Sequence, residues 1–301
     1  MLDSNNRIFS NIEKILWQSY YLNKAMKYQK IFLKDLSIEF KNSNAFIEQY
    51  ELSYNNDFIN EQPLLRPGLL ILPGGAYQYC SDREAEPIAI RMLAEGFNCF
   101  VLRYTCEKAY PTPHKEVAFA LDYLKKHHEE FHILDKNLSV VGFSAGGHLA
   151  ASYAITYQEI VKLMSLDKEN VKPFALILGY SVITTDKQYT HRGTTHNITG
   201  DDQELIEKLS VEKHITNDFP PTYIFSTKSD EAVPIENSYM LIEELKKHNI
   251  VHQAHIFEKG IHGGSLFTRA VYPTFTKQNE EAEANSIWIS EAAEFLNKLL
   301  F

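Results

Sequence analysis

Three cysteines in 301 residues are too few, and too irregularly placed, to staple a fold. Cys80, Cys99 and Cys106 are an odd set with no C-x-x-C spacing, which argues against a disulfide framework and a structural zinc site and suits reduced thiols. Nor is there a run of the roughly 18 apolar residues needed to cross a bilayer. Met1 to Ser10 is polar and lacks the apolar stretch of a signal peptide, so the expectation is a soluble, cytoplasmic protein with no membrane partner. In that setting the sequon Asn197-Ile198-Thr199 carries no meaning. Basic residues are in deficit, with 30 Lys and Arg against 39 Asp and Glu and a formal net charge of -9. That balance disfavours a nucleic-acid partner. Repeats, low-complexity tracts and long Gly/Ser/Pro linkers are missing too. What is present, 44% hydrophobic and 23% charged residues, suits a globular chain long enough to bury a substantial core.

From Leu69 onward, short apolar runs alternate with helical patterns. The runs are Leu69–Leu72, Cys99–Leu102, Leu138–Val141, Phe174–Leu178, Thr222–Phe225 and Ala254–Phe257. Each is too short for a helix and too continuous for a half-exposed strand, which predicts strands buried on both faces. Helical periodicity covers about 84–95, 114–130, 145–157, 234–248 and 284–299. Ser81 and Glu84 have the spacing of a capping box ahead of the first helix, with Pro87 suited to its first turn. Lys125-Lys126 reads as a solvated helix face, and Lys246, Lys247 and His248 suit a helix C-terminus. The implied class is α/β, a mostly parallel central sheet with helices on both faces. Upstream, residues 7–26 read as helical and about 36–53 as two antiparallel strands with charged faces. Residues 180–219 break the alternation; they are polar, rich in Thr and His, and long enough to cap the sheet. One domain over 1–301 is expected, with an N-terminal extension of about 1–60 and a cap insertion at about 180–219.

Gly142-Phe143-Ser144-Ala145-Gly146 matches G-x-S-x-G where a strand ends and a helix begins, the context of a nucleophile elbow. The turn strains Ser144 and tolerates only small residues two positions away. Upstream, Pro73-Gly74-Gly75-Ala76-Tyr77 follows the first strand. Gly75 and Ala76 can offer backbone donors to an oxyanion, with Ala145 as a third. A serine nucleophile needs a general base oriented by a carboxylate, in the order Ser, acid, His. His248, His252, His255 and His262 follow the best acid candidate, and His262 alone lies in a loop after the last strand. For the acid, Asp230 follows the strand Thr222–Phe225, with Glu231 and Asp218 as alternatives. His148, one turn after Ser144, is too close in sequence to act as base and reads as a packing residue. Cys80 reads as a small buried hydrophobe. His191, Arg192 and His196, with Asp186, Asp201 and Asp202 nearby, follow no metal-site spacing, so no metal is expected.

These residues together resemble the acetylxylan-esterase-like branch of the α/β-hydrolases, relatives of the hormone-sensitive-lipase group. The match is carried by Pro73–Tyr77 with Ser81–Pro87, by Gly142–Ala150, by Ser210–His214 with Pro220–Thr222, and by Asp230–Pro234. The resemblance implies an α/β-hydrolase fold, hydrolysis of acetylated sugars or of aryl and alkyl esters, and no cofactor. It maps nucleophile, acid and base onto Ser144, Asp230 and His262. Two departures stand out: Pro73 replaces the His that opens the oxyanion loop in the lipase-like group, and Ala76 replaces a Gly. The expected partner is a small-molecule ester, acetyl first. An amidase or exopeptidase with the same triad, and a non-catalytic binding protein on the same fold, are the competing readings. The apolar C-terminus, Phe295–Phe301, is suited to packing on the core or on a second subunit of a homodimer.

Overall fold

The computed structural model describes residues 26–52, 64–272 and 282–300. The apolar runs become strands, and all but the last are buried alternately on the two faces of a sheet. The strands are β1 (Lys27–Phe32), β2 (Phe46–Glu51), β3 (Arg66–Leu72), β4 (Asn98–Arg103), β5 (Ile133–Phe143), β6 (Leu176–Gly179), β7 (Thr222–Thr227) and β8 (His252–Phe257). They form a sheet of order β1-β2-β4-β3-β5-β6-β7-β8. β1 and β2 run antiparallel to each other, as do β2 and β4; every later pairing is parallel. The main helices are α1 (Glu86–Ala94), α2 (Thr112–Lys126), α3 (Ala145–Met164), α4 (Arg192–Thr199), α5 (Gln203–Leu209), α6 (Glu236–Lys247) and α7 (Trp288–Leu300).

Two cores lie on opposite faces of the sheet. Leu70, Leu72, Phe100, Leu102, Val140, Leu176, Leu178 and Ile224 pack with Val117 and Leu121 of α2, Leu149 and Tyr153 of α3, and Leu241 and Leu245 of α6. Their immediate neighbours Leu69, Ile71, Cys99, Val101, Val141, Ile177, Tyr223 and Phe225 pack with Ile88 and Met92 of α1 and Trp288, Ile289 and Leu296 of α7. Register then aligns the strand ends. Leu72 pairs with Gly142, and Phe143 with Gly179, so the loops after β3, β5 and β6 open at one edge. Ligands of parallel α/β sheets bind at that carboxyl edge.

Several expectations need correction. Of the two strands expected at about 36–53, the second is β2, but its partner is β1, further upstream. Side chains match across the pairing: Lys27 and Lys30 of β1 reach the buried Glu51 and Glu48 of β2, and Tyr28 and Phe32 meet Tyr50 and Phe46; Lys on an edge strand also deters edge-to-edge association. The helix expected at 7–26 lies almost wholly outside the described residues. β8 is not buried on both faces: it is the last strand of the sheet among the described residues, and Gln253 and Ala254, which point to opposite faces, are both exposed. Lys125 is not solvated. Its ammonium is buried and donates to the carbonyls of Glu169 and Lys172 at 3.2 and 2.8 Å, tying α2 to the short helical turn 168–171. The capping box at Ser81 does not form, because the Ser81 side chain makes no cap bond and the Glu84 carboxyl turns inward. Pro87 does sit in the first turn of α1. No helix among the described residues is long and apolar enough to cross a membrane.

Trp288 is the anchor of the second core. It is fully buried, stacks on Phe225 at 4.3 Å between centroids, and meets Phe143 edge-on at 5.8 Å. Its indole N–H donates to the Ser265 carbonyl at 2.9 Å, so packing and loop placement share one side chain. Trp288→Ala is expected to cost about 3–5 kcal/mol. The urea midpoint should fall with little change in slope.

Candidate active site

β5 delivers the chain to Ser144 and α3 takes it away at Ala145, with no loop between them. The join is possible only through a strained serine: Ser144 has φ 52° and ψ -119°. The residues two positions to either side must be glycine. A β carbon on Gly146 would sit 2.1 Å from the Leu72 carbonyl oxygen, and one on Gly142 would sit 2.4 Å from that of Gly146. Held this way, the Ser144 side chain stands over the carboxyl edge, beside the free amides at the N-terminus of α3.

The loops after β7 and β8 bring two more side chains to it. Ser144 Oγ lies 2.8 Å from His262 Nε2, and His262 Nδ1 lies 2.7 Å from Asp230 Oδ2. Asp230 is itself anchored: its Oδ1 accepts from the N–H groups of Ala232 and Val233, both at 2.9 Å. A carboxylate against Nδ1 requires the proton there, which leaves the Nε2 lone pair to accept from the serine hydroxyl. The Asp230 side chain is 2% exposed while His262 is 24% exposed, so the carboxyl is shielded and an edge of the imidazole is open to solvent. The alternatives to Asp230 lie elsewhere. Asp218 accepts from the Tyr157 hydroxyl and pairs with Lys172, and Glu231 is exposed.

The loop after β3 passes directly against Ser144; a β carbon on Gly74 would be 2.9 Å from Ser144 Cβ. Gly75, Ala76 and Tyr77 all have positive φ, at 124°, 54° and 60°. Successive residues of this kind turn their amides to one side and make an anion-binding concavity. Among the described residues, no acceptor takes the N–H of Gly75, Ala76 or Ala145. Two contacts brace this loop. Asn197 of α4 donates from Nδ2 to the Ala76 carbonyl at 2.7 Å, which brings the 180–219 segment onto the site. Beneath, the buried Tyr77 hydroxyl lies 2.8 Å from His148 Nδ1.

Sequence reasoning missed four residues around this cluster: Glu84, Tyr180, His191 and Asn197. Glu84 had the spacing of a helix cap, and the other three lie in the segment expected to cap the sheet. His191 caps α4 by accepting from Thr194 N–H at 3.2 Å. Burial, with the nearby His262, holds its pKa below the ordinary histidine value. His196 pairs with Asp201 at 2.7 Å, and no group of three or more candidate metal ligands occurs among the described residues. The Cys80 sulfur lies 3.8 Å from that of Cys106, and this neighbour and burial both push the Cys80 thiol up.

The strand order, the helices on both faces and the serine turn at the end of β5 define the α/β-hydrolase fold. Residues 60–245 match the BD-FAE family, and the chain belongs to it. It is 32% identical over 229 residues to endo-1,4-beta-xylanase B of Butyrivibrio fibrisolvens, covering 71% of this chain and 36% of that one. It is 28% identical over 190 residues to an acetylxylan esterase of Xylanibacter ruminicola, covering 59% of this chain and 36% of that one. The chain thus spans about a third of the length of these curated relatives. Among solved structures, MGS-M1, an α/β-hydrolase enzyme from a Medee basin deep-sea metagenome library, superposes with a TM-score of 0.72 at 31% identity. That match covers 92% of this chain and 99% of the other.

His148 supplies a pH test of the bracing. It is fully buried, its Nε2–H donates to the Leu209 carbonyl at 3.1 Å, and burial lowers its pKa to about 4. An unfolded histidine takes up its proton near about pH 6.5. Unfolding therefore binds a proton below that point, and stability is lost as pH falls from about 6.5 toward about 4. Buried His114 acts in the same direction, while Glu84 and Glu116, raised by burial, act oppositely. The comparison with His148→Gln isolates the term. Between about pH 7 and about pH 5, the variant should gain on the order of 2 kcal/mol relative to wild type in denaturant titrations.

Proposed function

We propose that this protein is a serine carboxylesterase that hydrolyses small esters, acetyl esters first, including those of acetylated sugars. The observation that carries the reading is the hydrogen-bonded line from Asp230 through His262 to the Ser144 hydroxyl. His262 takes the serine proton as Oγ attacks the ester carbonyl, and Asp230 stabilises the imidazolium that forms. The oxyanion is met by the N–H groups of Gly75, Ala76 and Ala145, each such donor supplying about 10²–10³ in rate. His262 then protonates the leaving alcohol, and water repeats the sequence on the acyl-enzyme. No step asks for a cofactor. The methyl group of Ala76 narrows the space beside the oxyanion loop, which favours a short acyl group. The relative named as an acetylxylan esterase supports acetyl as that group and a carbohydrate as the alcohol. On this reading residues 180–219 act as a cap, with Asn197 as its contact to the oxyanion loop.

Parallel assays decide between ester and amide chemistry. Turnover of 4-nitrophenyl acetate should exceed that of aminoacyl anilides, and 4-nitrophenyl butyrate should be slower than the acetate. Ser144→Ala should lower kcat by at least about 10⁴ and abolish labelling by a fluorophosphonate probe. Faster turnover of the anilides, or a wild-type protein that the probe never labels, would sink the proposal.

A further inference from the structure

Behind the serine turn lies a carboxyl that no step above uses. Glu84 is 3% exposed, and its two oxygens serve two different loops. Oε2 accepts from the Gly74 N–H at 2.8 Å, at the start of the oxyanion loop. Oε1 accepts from the Tyr180 hydroxyl at 2.8 Å, just past the end of β6. Tyr180 Oη in turn accepts from the Ser265 N–H at 3.0 Å, in the loop that carries His262. Because Tyr180 has a single hydroxyl proton and gives it to Glu84, its oxygen is free to receive Ser265. The Ser265 hydroxyl closes a second tie by donating to the Arg83 carbonyl, next to Glu84 in the chain.

The packing is as close as the bonding. A β carbon on Gly74 would meet Glu84 Oε2 at 2.7 Å and Ser144 Cβ at 2.9 Å, and one on Gly263 would come within 3.8 Å of Glu84 Oε1. The Tyr180 ring stands edge-on to the His262 imidazole, at 5.2 Å and 70°. One carboxyl therefore holds the loop of the proposed oxyanion donors, through Gly74, and the support of the proposed base, through Tyr180, with only Gly74 packed between it and Ser144. Burying such a group is unfavourable unless its oxygens are satisfied. Here burial pushes its pKa up, while the Tyr180 and Gly74 hydrogen bonds bring it down.

We propose that Glu84 is a positioning residue, which clamps the oxyanion loop and the histidine loop at one fixed separation behind Ser144. The inference rests on the triad reading given above. The clamp acts where transition-state geometry is set, because misplacing a reacting group by about 1 Å costs about 10² in rate. Binding of the ground-state ester does not need it, so the effect falls on kcat rather than KM.

The test compares wild type with Glu84→Ala, Glu84→Gln and Tyr180→Phe, in turnover of 4-nitrophenyl acetate and in the rate of fluorophosphonate labelling. Glu84→Ala strands the Gly74 N–H and the Tyr180 hydroxyl, and should lower kcat about 100-fold with KM within about threefold. In Glu84→Gln the amide oxygen can accept from Gly74 while the amide nitrogen donates to the Tyr180 oxygen, which keeps both loops tied but leaves the hydroxyl proton without its acceptor. That variant should recover kcat to within about tenfold of wild type. Tyr180→Phe cuts the link to the histidine loop and should lower kcat about tenfold with KM unchanged; it carries the test if Glu84→Ala does not fold. Wild-type kcat in folded Glu84→Ala, or in Tyr180→Phe where the alanine variant does not fold, overturns the proposal. So does a change confined to KM, or Glu84→Gln as slow as Glu84→Ala. Labelling separates the two levels. A wild type that is never labelled removes the triad reading, whereas wild type and Glu84→Ala labelled equally fast remove the role of Glu84 alone.

Discussion

The approach of Gly146 to the backbone of Leu72 and Pro73 is the contact on which the rest of this molecule is built. A β carbon there would fall 2.1 Å from one carbonyl oxygen and 2.4 Å from the next. The missing side chain lets the N-terminus of α3 press onto the end of β3. The helix then starts one residue after the strand β5 ends, and Ser144 is left at φ 52°. Every later feature of the site is measured from that serine. The loop after β3 runs beside it because β3 and β5 are neighbours in the sheet. The loops after β7 and β8 reach it because β6, β7 and β8 extend the sheet on the same side.

Hydrogen-bond direction propagates the geometry outward. Asp230 spends one oxygen on two backbone amides and the other on His262, so the imidazole has one tautomer and one orientation. One turn into α3 the pattern recurs in neutral form: His148 donates to the Leu209 carbonyl and is left to accept from Tyr77, a residue of the oxyanion loop. The two histidines differ in setting. His262 keeps a partly exposed edge, while burial keeps His148 neutral and makes it a fixed acceptor.

Much of this was legible in the chain itself, and the division follows contact range. The parallel strands announced themselves because a strand buried on both faces has a continuous apolar run, as in Leu69–Leu72. Ser144 and its elbow are local, and the order of acid and base along the chain narrowed the partners to Asp230 and His262, which the structure brings together. The illegible parts depend on distant residues. Glu84 has the spacing of a cap, yet its partners are 10 and 96 residues away. Lys125 looks like a solvated lysine until the carbonyls of residues 169 and 172 are folded over it. β1 meets β2 through residues on the far side of a turn, and β8 is half-exposed where it forms the edge of the sheet among the described residues.

Strain shows how the site and the stability of the fold are joined. Ala76, Tyr77, Ser144, Tyr180 and Ser265 are non-glycine residues with positive φ, and all lie in the loops around the nucleophile. Each such conformation costs on the order of 1–3 kcal/mol and persists only where its surroundings over-determine it. The surroundings here are core groups. Tyr77 and Tyr180 are buried to 0% and 1% exposure, and their hydroxyls bond to His148 and Glu84. Ser265 is held on its carbonyl by Trp288, the centre of the second core, and on its amide by Tyr180. The sheet therefore does more than display the site, because the side chains that fill its two faces also hold the strained loops in place. A change that loosens either core therefore also loosens a loop at the carboxyl edge. Packing defects at Trp288 and Tyr77 should accordingly reach the serine through different loops, the first through Ser265 and His262, the second through Ala76 and the oxyanion donors.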